Sequence, residues 1–319
     1  MNHILPVFRL TPHLSPPLKL ALKIDVDTYR GTRKGVPRLV EILKKHEAGA
    51  TFLFSLGTDH TGRAIKRVFR PGFMKKVSRT SVMEHYGIKT LMYGTLLPGP
   101  DIGKHCAHIM QAVQRNGFEV GIHCYDHIRW QDYVAKMDAA WTARELKLAC
   151  DRFEKIFGEP AKVHGAAGWQ MNVHALRLEQ RLNFDYCSDM RGTHPFIPIW
   201  NAEIVACPQL PTTLPTLDEL IGVGDITPGN VARHLLGLTE TPPPTGHVYT
   251  LHAELEGMKL ANVFDELLTG WKAQGYELVS LKDYFASLTL DKLPRHEVVM
   301  GEIPGRSGVL AFQSDEFLA

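Results

Sequence analysis

The 319-residue chain lacks the marks of several common protein classes. Its five cysteines (Cys106, Cys124, Cys150, Cys187, Cys207) are odd in number, widely spaced and form no C-x-x-C pair. That argues against a disulfide scaffold and fits a reducing compartment. No uncharged apolar run approaches the ~20 residues of a membrane span. The N-terminus, MNHILPVFRLTPHLSPPLKL, is broken by prolines and has no apolar core of the roughly 7–15 residues that a signal peptide needs. A cytoplasmic chain is expected, with any membrane contact peripheral. Charge of one sign is also missing: 36 Lys+Arg face 34 Asp+Glu, and the net +2 gives no reason to expect a nucleic-acid partner. There is no internal repeat and no clear domain boundary.

An ample core is available, with 44% hydrophobic residues. Apolar patterning predicts strands over 20–26, 51–55, 118–122, 161–164, 184–188, 203–207, 247–251 and 276–280. Helices are expected from Pro37, and over 104–115, 142–157, 173–182, 231–238 and 261–274. Residues 1–18 read as irregular, 19–295 as one catalytic unit, and 296–319 as a weakly patterned tail. Strand–helix alternation fits either an open parallel sheet or a β/α barrel. An insertion at about 57–103 interrupts it. Within that insertion no acidic residue occurs from Arg63 to Arg79, while seven basic residues alternate with apolar ones. Such cationic amphipathic pieces suit an anionic membrane surface.

Polar residues gather at predicted strand ends, which favours the barrel. Lys23-Ile24-Asp25-Val26-Asp27-Thr28 ends a strand in two carboxylates one residue apart. Alternation points Asp25 and Asp27 to one side, and Ile24 and Val26 to the other. Two like charges so close need a cation or a shared proton. His123-Cys124-Tyr125-Asp126-His127 follows another strand; a helical turn there would bring both imidazoles to one face. Two imidazoles and one carboxylate leave a coordination position open, the arrangement of a hydrolytic metal site. The second carboxylate is then available as a base. His252, ending Tyr249-Thr250-Leu251-His252, is placed to protonate a departing nitrogen.

This D-x-D, H-x-x-x-H and late Leu-His set resembles the polysaccharide-deacetylase, or NodB-homology, superfamily. More specific stretches are 24–33, 35–39, 121–127, Ala166-Ala167-Gly168-Trp169, Ser188-Asp189-Met190-Arg191-Gly192, 214–219 and 252–257. These are similar to the bacterial deformylases of 4-deoxy-4-formamido-L-arabinose-phosphoundecaprenol, which serve lipid A modification. The resemblance implies an α/β fold, a distorted (β/α)7-8 barrel, and metal-dependent amide hydrolysis. It implies Asp25 as base, His252 as general acid, and Asp27, His123 and His127 as ligands of a divalent ion. Zinc is the first choice, with cobalt, manganese or nickel as alternatives. Asp189 is expected to orient His252, Arg191 to pair with Asp25, Trp169 to stack on sugar or pack, and Glu254 to orient a ligand or bind substrate. Many relatives carry an arginine-proline motif where this chain has 165–169, which leaves the base's usual arginine partner unidentified. The implied partner is a polyprenyl-phosphate amino sugar met at the inner-membrane surface. The rival readings are a deacetylase of an undecaprenyl-phosphate N-acetylhexosamine and a non-catalytic barrel that binds sugar-lipids.

Overall fold

Strand β1 (Lys19–Val26) is covered on both faces along almost its whole length, as the middle of a parallel sheet must be. The structure is a computed structural model and describes residues 18–64, 88–306 and 308–318. Residues 1–17 and most of the basic stretch, 65–79, lie outside the described residues. One edge of β1 pairs in parallel with β8 (His247–His252). The other edge is shared, residues 19–21 pairing with β9 (Glu277–Val279) and residues 23–26 with β2 (Thr51–Ser55). The order continues through β3 (Glu119–Cys124), β4 (Val163–His164) and β5 (Tyr186–Cys187), all parallel.

Between β5 and β8 the ring is completed by an extended segment, 208–213. Cys187 N donates to Pro208 O at 2.9 Å, Leu210 N to Cys187 O at 2.8 Å, and Thr213 N to Val248 O at 3.0 Å. Pro208 and Pro211 carry no N–H, so this stave makes too few ladder bonds to be a regular strand. The architecture is the expected distorted β/α barrel.

Outer helices include Val36–Lys45, Ile102–Arg115, Ala139–Phe157, Val173–Arg181, Val231–Leu238 and Ala261–Ala273. Asp101, Asp138 and Asn172 cap three of them by accepting backbone N–H bonds. Gly158 closes the longest at φ 76°, a left-handed turn that glycine adopts without strain.

The strand expected over 203–207 is not part of the barrel. β6 (Ile197–Trp200) and β7 (Glu203–Ile204) form a hairpin in a second sheet. Its tight turn puts Asn201 and Ala202 at φ 52° and 61°. That sheet is completed by β10 (Arg295–Gly301) and β11 (Leu310–Glu316), in the order β11-β10-β6-β7. The weakly patterned stretch after 295 is therefore largely strand. It is tied to the barrel: Arg191 N donates to Ala311 O at 3.0 Å and Gln313 N to Arg191 O at 2.8 Å.

The core has two parts. Leu20, Leu22, Ile24 and Val26 face the outer helices and join the large cluster there. Ala21 faces inward with Leu53, Val163, Tyr186, Val248 and Val279, and Leu281 and Tyr284 close that end. Gly121 leaves no space beside them, since a Cβ there would lie 2.4 Å from Val163 Cγ1. Above this plug the inward face of β1 turns polar: Lys23, then Asp25, then Asp27.

Candidate active site

Asp27 and the two histidines meet. Asp27 Oδ1 lies 3.2 Å from His123 Nε2 and 3.4 Å from His127 Nε2. His123 Nδ1 sits 2.7 Å from Gly165 O, to which its N–H donates, and this turns Nε2 toward Asp27. The expected helical turn is not what joins the pair. His123 is inside β3, and His127 opens a separate helix, His127–Tyr133. Asp126 fixes the turn between them: it accepts from Arg129 N at 3.0 Å and holds His60 Nδ1 at 2.6 Å. Burial opposes ionisation of Asp27, but His127 and His123 more than offset it and hold the carboxyl below the usual range. Asp27 Oδ1 is buried with no hydrogen-bond partner among the described residues. A partnerless carboxylate oxygen facing two imidazole nitrogens is a donor set that fits a divalent metal ion.

Asp25 is 3% exposed, and among the described residues its Oδ1 also lacks a hydrogen-bond partner. Its nearest cation is one that sequence reading missed. Lys23 is wholly buried, with Nζ 3.5 Å from Asp25 Oδ2 and donating to Ser188 O at 2.8 Å. The signal was present in the period-two series Lys23, Asp25, Asp27. Arg191 does not pair with Asp25. Its Nη1 bonds both oxygens of Glu219 at 2.8 and 2.9 Å, and its Nη2 bonds Leu214 O at 2.9 Å.

His252 ends β8 directly opposite Asp25 in the β1–β8 register, so both side chains leave the same face. Its backbone N donates to Glu256 Oε2 at 3.0 Å, while its Nδ1 has no hydrogen-bond partner among the described residues. Burial disfavours the imidazolium, yet Asp218 first, then Asp27 and Asp25, raise its proton affinity above the ordinary value. Asp218 sits in the short helix Leu217–Leu220, started by a Thr216–Glu219 capping box.

Asp189, expected beside His252, belongs elsewhere. Its Oδ1 lies 2.8 Å from His164 Nδ1 and accepts from Ala166 N at 2.8 Å, while its Oδ2 accepts from Gln209 Nε2 at 2.7 Å. Glu179 Oε1 also touches His164 Nδ1, at 2.9 Å. Burial disfavours the charged imidazole, but Asp189 and Glu179 lift His164 to about 9. Burial, then Asp189, push Glu179 up to about 8. The fold therefore holds protons that the unfolded chain releases. His164 contributes stability that is complete below about 6.5 and lost as pH rises through about 9; Glu179 acts in the same direction between about 4.5 and 8. The melting temperature should fall between about pH 6.5 and 9, and His164→Gln should flatten that fall. A level wild-type profile in a scanning-calorimetry series would contradict it.

Glu254 shapes the loop beneath the site. Its Oε1 accepts from Asp27 N at 3.2 Å, Thr28 N at 2.8 Å and Thr28 Oγ1 at 2.7 Å. Burial and the nearby Asp27 push its carboxyl up to about 8. Gly31 makes room for it, because a Cβ there would lie 1.9 Å from Glu254 Oε1. Trp169 is buried, donates Nε1–H to Thr212 Oγ1 at 3.1 Å, and packs against cations instead of offering an open face for sugar.

Known proteins resemble this chain at two levels, in sequence and in fold. A sequence profile of the family described as polysaccharide deacetylase matches residues 19–187, just over half of the chain. A Shewanella sediminis (strain HAW-EB3) protein is 40% identical over 296 residues, covering 93% of this chain and 95% of that one. A Wigglesworthia glossinidia brevipalpis protein is 33% identical over 284 residues, covering 89% and 98%. Both carry the name "Probable 4-deoxy-4-formamido-L-arabinose-phosphoundecaprenol deformylase ArnD". In fold, a crystal structure of a Mycobacterium smegmatis protein assigned to the polysaccharide deacetylases superposes with a TM-score of 0.61 at 17% identity, over 90% of this chain and 95% of that one. With the profile spanning β1 to β5 and the relatives matching almost end to end, this chain belongs to the polysaccharide deacetylase family.

Proposed function

We propose that the chain is a metal-dependent deformylase that hydrolyses the N-formyl amide of a 4-formamido-pentose carried on undecaprenyl phosphate. The observation that carries this reading is 40% identity, over nearly all of both chains, to a relative named for that reaction. The meeting of Asp27, His123 and His127 beside Asp25 and His252 supports it. Asp27, His123 and His127 are the residues that would hold the ion, and two nitrogens with one oxygen favour zinc. A bound divalent ion supplies Lewis acidity to the amide carbonyl and to the attacking water.

The rest is done by side chains. Asp25, with Lys23 balancing its charge, accepts the proton of the water that attacks the formyl carbon. His252 gives its proton to the sugar nitrogen as the C–N bond breaks, leaving formate and a free amine. The carboxylates of Asp218, Asp27 and Asp25 favour the protonated imidazole that this step needs. Among the described residues no helix is long and apolar enough to cross a membrane, so the lipid-borne substrate would be met at the bilayer surface.

Mass spectrometry of the lipid-linked formamido sugar before and after incubation with the metal-loaded protein tests the reading. A loss of about 28 mass units, the difference between amide and amine for a formyl group, is expected. A loss of about 42 units from the N-acetyl analogue, with none from the formamide, would make the chain a deacetylase instead.

A further inference from the structure

Arg191 and Arg306 converge on one carboxylate and take no part in proton transfer. We propose that Arg191 and Arg306 form an anion-recognition pair at the edge of the site, and that its ligand is the phosphate joining the amino sugar to its lipid. This rests on the deformylase reading for the identity of the ligand.

The pair is built from distant parts of the chain. Arg191 follows β5, and Arg306 lies in the connection between β10 and β11. Both reach Glu219, Arg191 Nη1 at 2.8 Å and Arg306 Nη1 at 3.5 Å. Two guanidinium charges on one carboxylate leave an excess of positive charge. Both side chains are only 12% exposed, so water compensates that excess poorly. Trp169 orders them from below, with guanidinium carbons 5.1 Å (Arg191) and 4.4 Å (Arg306) from its ring centre. The connection carrying Arg306 is pressed onto the Glu219 turn: Gly305 has φ 81°, and a Cβ there would lie 2.3 Å from Glu219 O. Ordered, planar donors with surplus charge and a solvent edge suit the oxygens of a phosphate.

Position agrees with chemistry. The Trp169 ring that carries the arginines lies 5.5 Å from Lys23 Nζ, the cation beside Asp25. Glu219 directly follows Asp218, whose charge acts on His252. The pair is thus linked to Asp25 through Trp169 and Lys23, and to His252 through Glu219 and its neighbour Asp218. In a 4-formamido-pentosyl phosphate the amide and the phosphate sit at opposite ends of one sugar ring. An amide at Asp25 and His252 would direct the phosphate outward to the arginines.

The test compares wild type with Arg306→Ala and Arg306→Lys on two substrates, the lipid-phosphate formamido sugar and a phosphate-free glycoside of the same sugar. The ratio of their kcat/KM values should fall at least about tenfold in Arg306→Ala, mainly through KM, and partly recover in Arg306→Lys. Calorimetric titration with farnesyl phosphate and with inorganic phosphate makes the result independent of turnover. Weakened phosphate binding in Arg306→Ala supports the pair even if wild type deformylates nothing, an outcome that would overturn the deformylase reading alone. Tighter wild-type binding of farnesyl phosphate than of inorganic phosphate supports a lipid-borne ligand; equal affinities would overturn that part. An unchanged kcat/KM ratio together with unchanged phosphate binding, in a variant that melts like wild type, overturns the proposal. If Arg306→Ala does not fold, Arg306→Lys decides on the same measurements, because it keeps the charge and removes the forked geometry.

Discussion

Asp25→Asn should lower kcat by about 10²–10⁴ while leaving the bound metal in place. The substitution keeps the shape of a side chain that is almost wholly buried and removes its charge, and with it its capacity to take a proton. Asp25 is not among the three donors that converge: its Oδ1 is 3.7 Å from His123 Nδ1, and that nitrogen already donates to Gly165 O at 2.7 Å. Turnover and metal content should therefore separate. Steady-state kinetics with metal analysis on the same preparation checks this, and near-normal turnover in Asp25→Asn would remove the base from the scheme.

Lys23→Met should be the second large effect, and it acts through Asp25. Lys23 and Asp25 are both withdrawn from water, at 0% and 4% side-chain exposure, and 3.5 Å apart. Removing one partner of such a pair typically costs about 3–5 kcal/mol, because the remaining charge is buried without compensation. Asp25 would then lose the cation that balances and positions it, so kcat of the folded Lys23→Met protein should fall as well, beyond the loss of stability. If Lys23 were only a packing residue, the melting temperature would fall and kcat of the folded protein would stay. The β-strand rule that places Asp25 and Asp27 together also places Lys23 with them, so in the proposed mechanism a cation two residues before Asp25 would take the part of the family's arginine.

Much of this was legible because local rules governed it. The face-splitting of β1 followed from alternation, and the helix from Val231 to Leu238 from its apolar spacing. Strand ends carried Asp25, Asp27, His123 and His252, and the barrel brought them to one mouth. What failed to show had no local period. The second sheet joins residues near 200 to residues near 300, and its two inner strands pair across almost a hundred residues. Asp189 and Arg191 lie at a strand end, as a site residue should, but tertiary packing gave them other partners: His164 for the first and Glu219 for the second. Asp218 stood in a recognised motif, and only the fold shows that its charge reaches His252. His123 and His127 meet without the helical turn that i, i+4 spacing suggests, because Asp126 caps a helix that begins only at His127.

In the proposed mechanism Asp27, His123 and His127 hold one divalent ion that the reaction needs. Chelated protein, reloaded with zinc and freed of excess by gel filtration, should carry one ion per chain and regain activity. Asp27→Ala and His123→Ala, treated identically and folded by circular dichroism, should carry none. Full activity in the metal-free wild type, or undiminished zinc in Asp27→Ala, would contradict it.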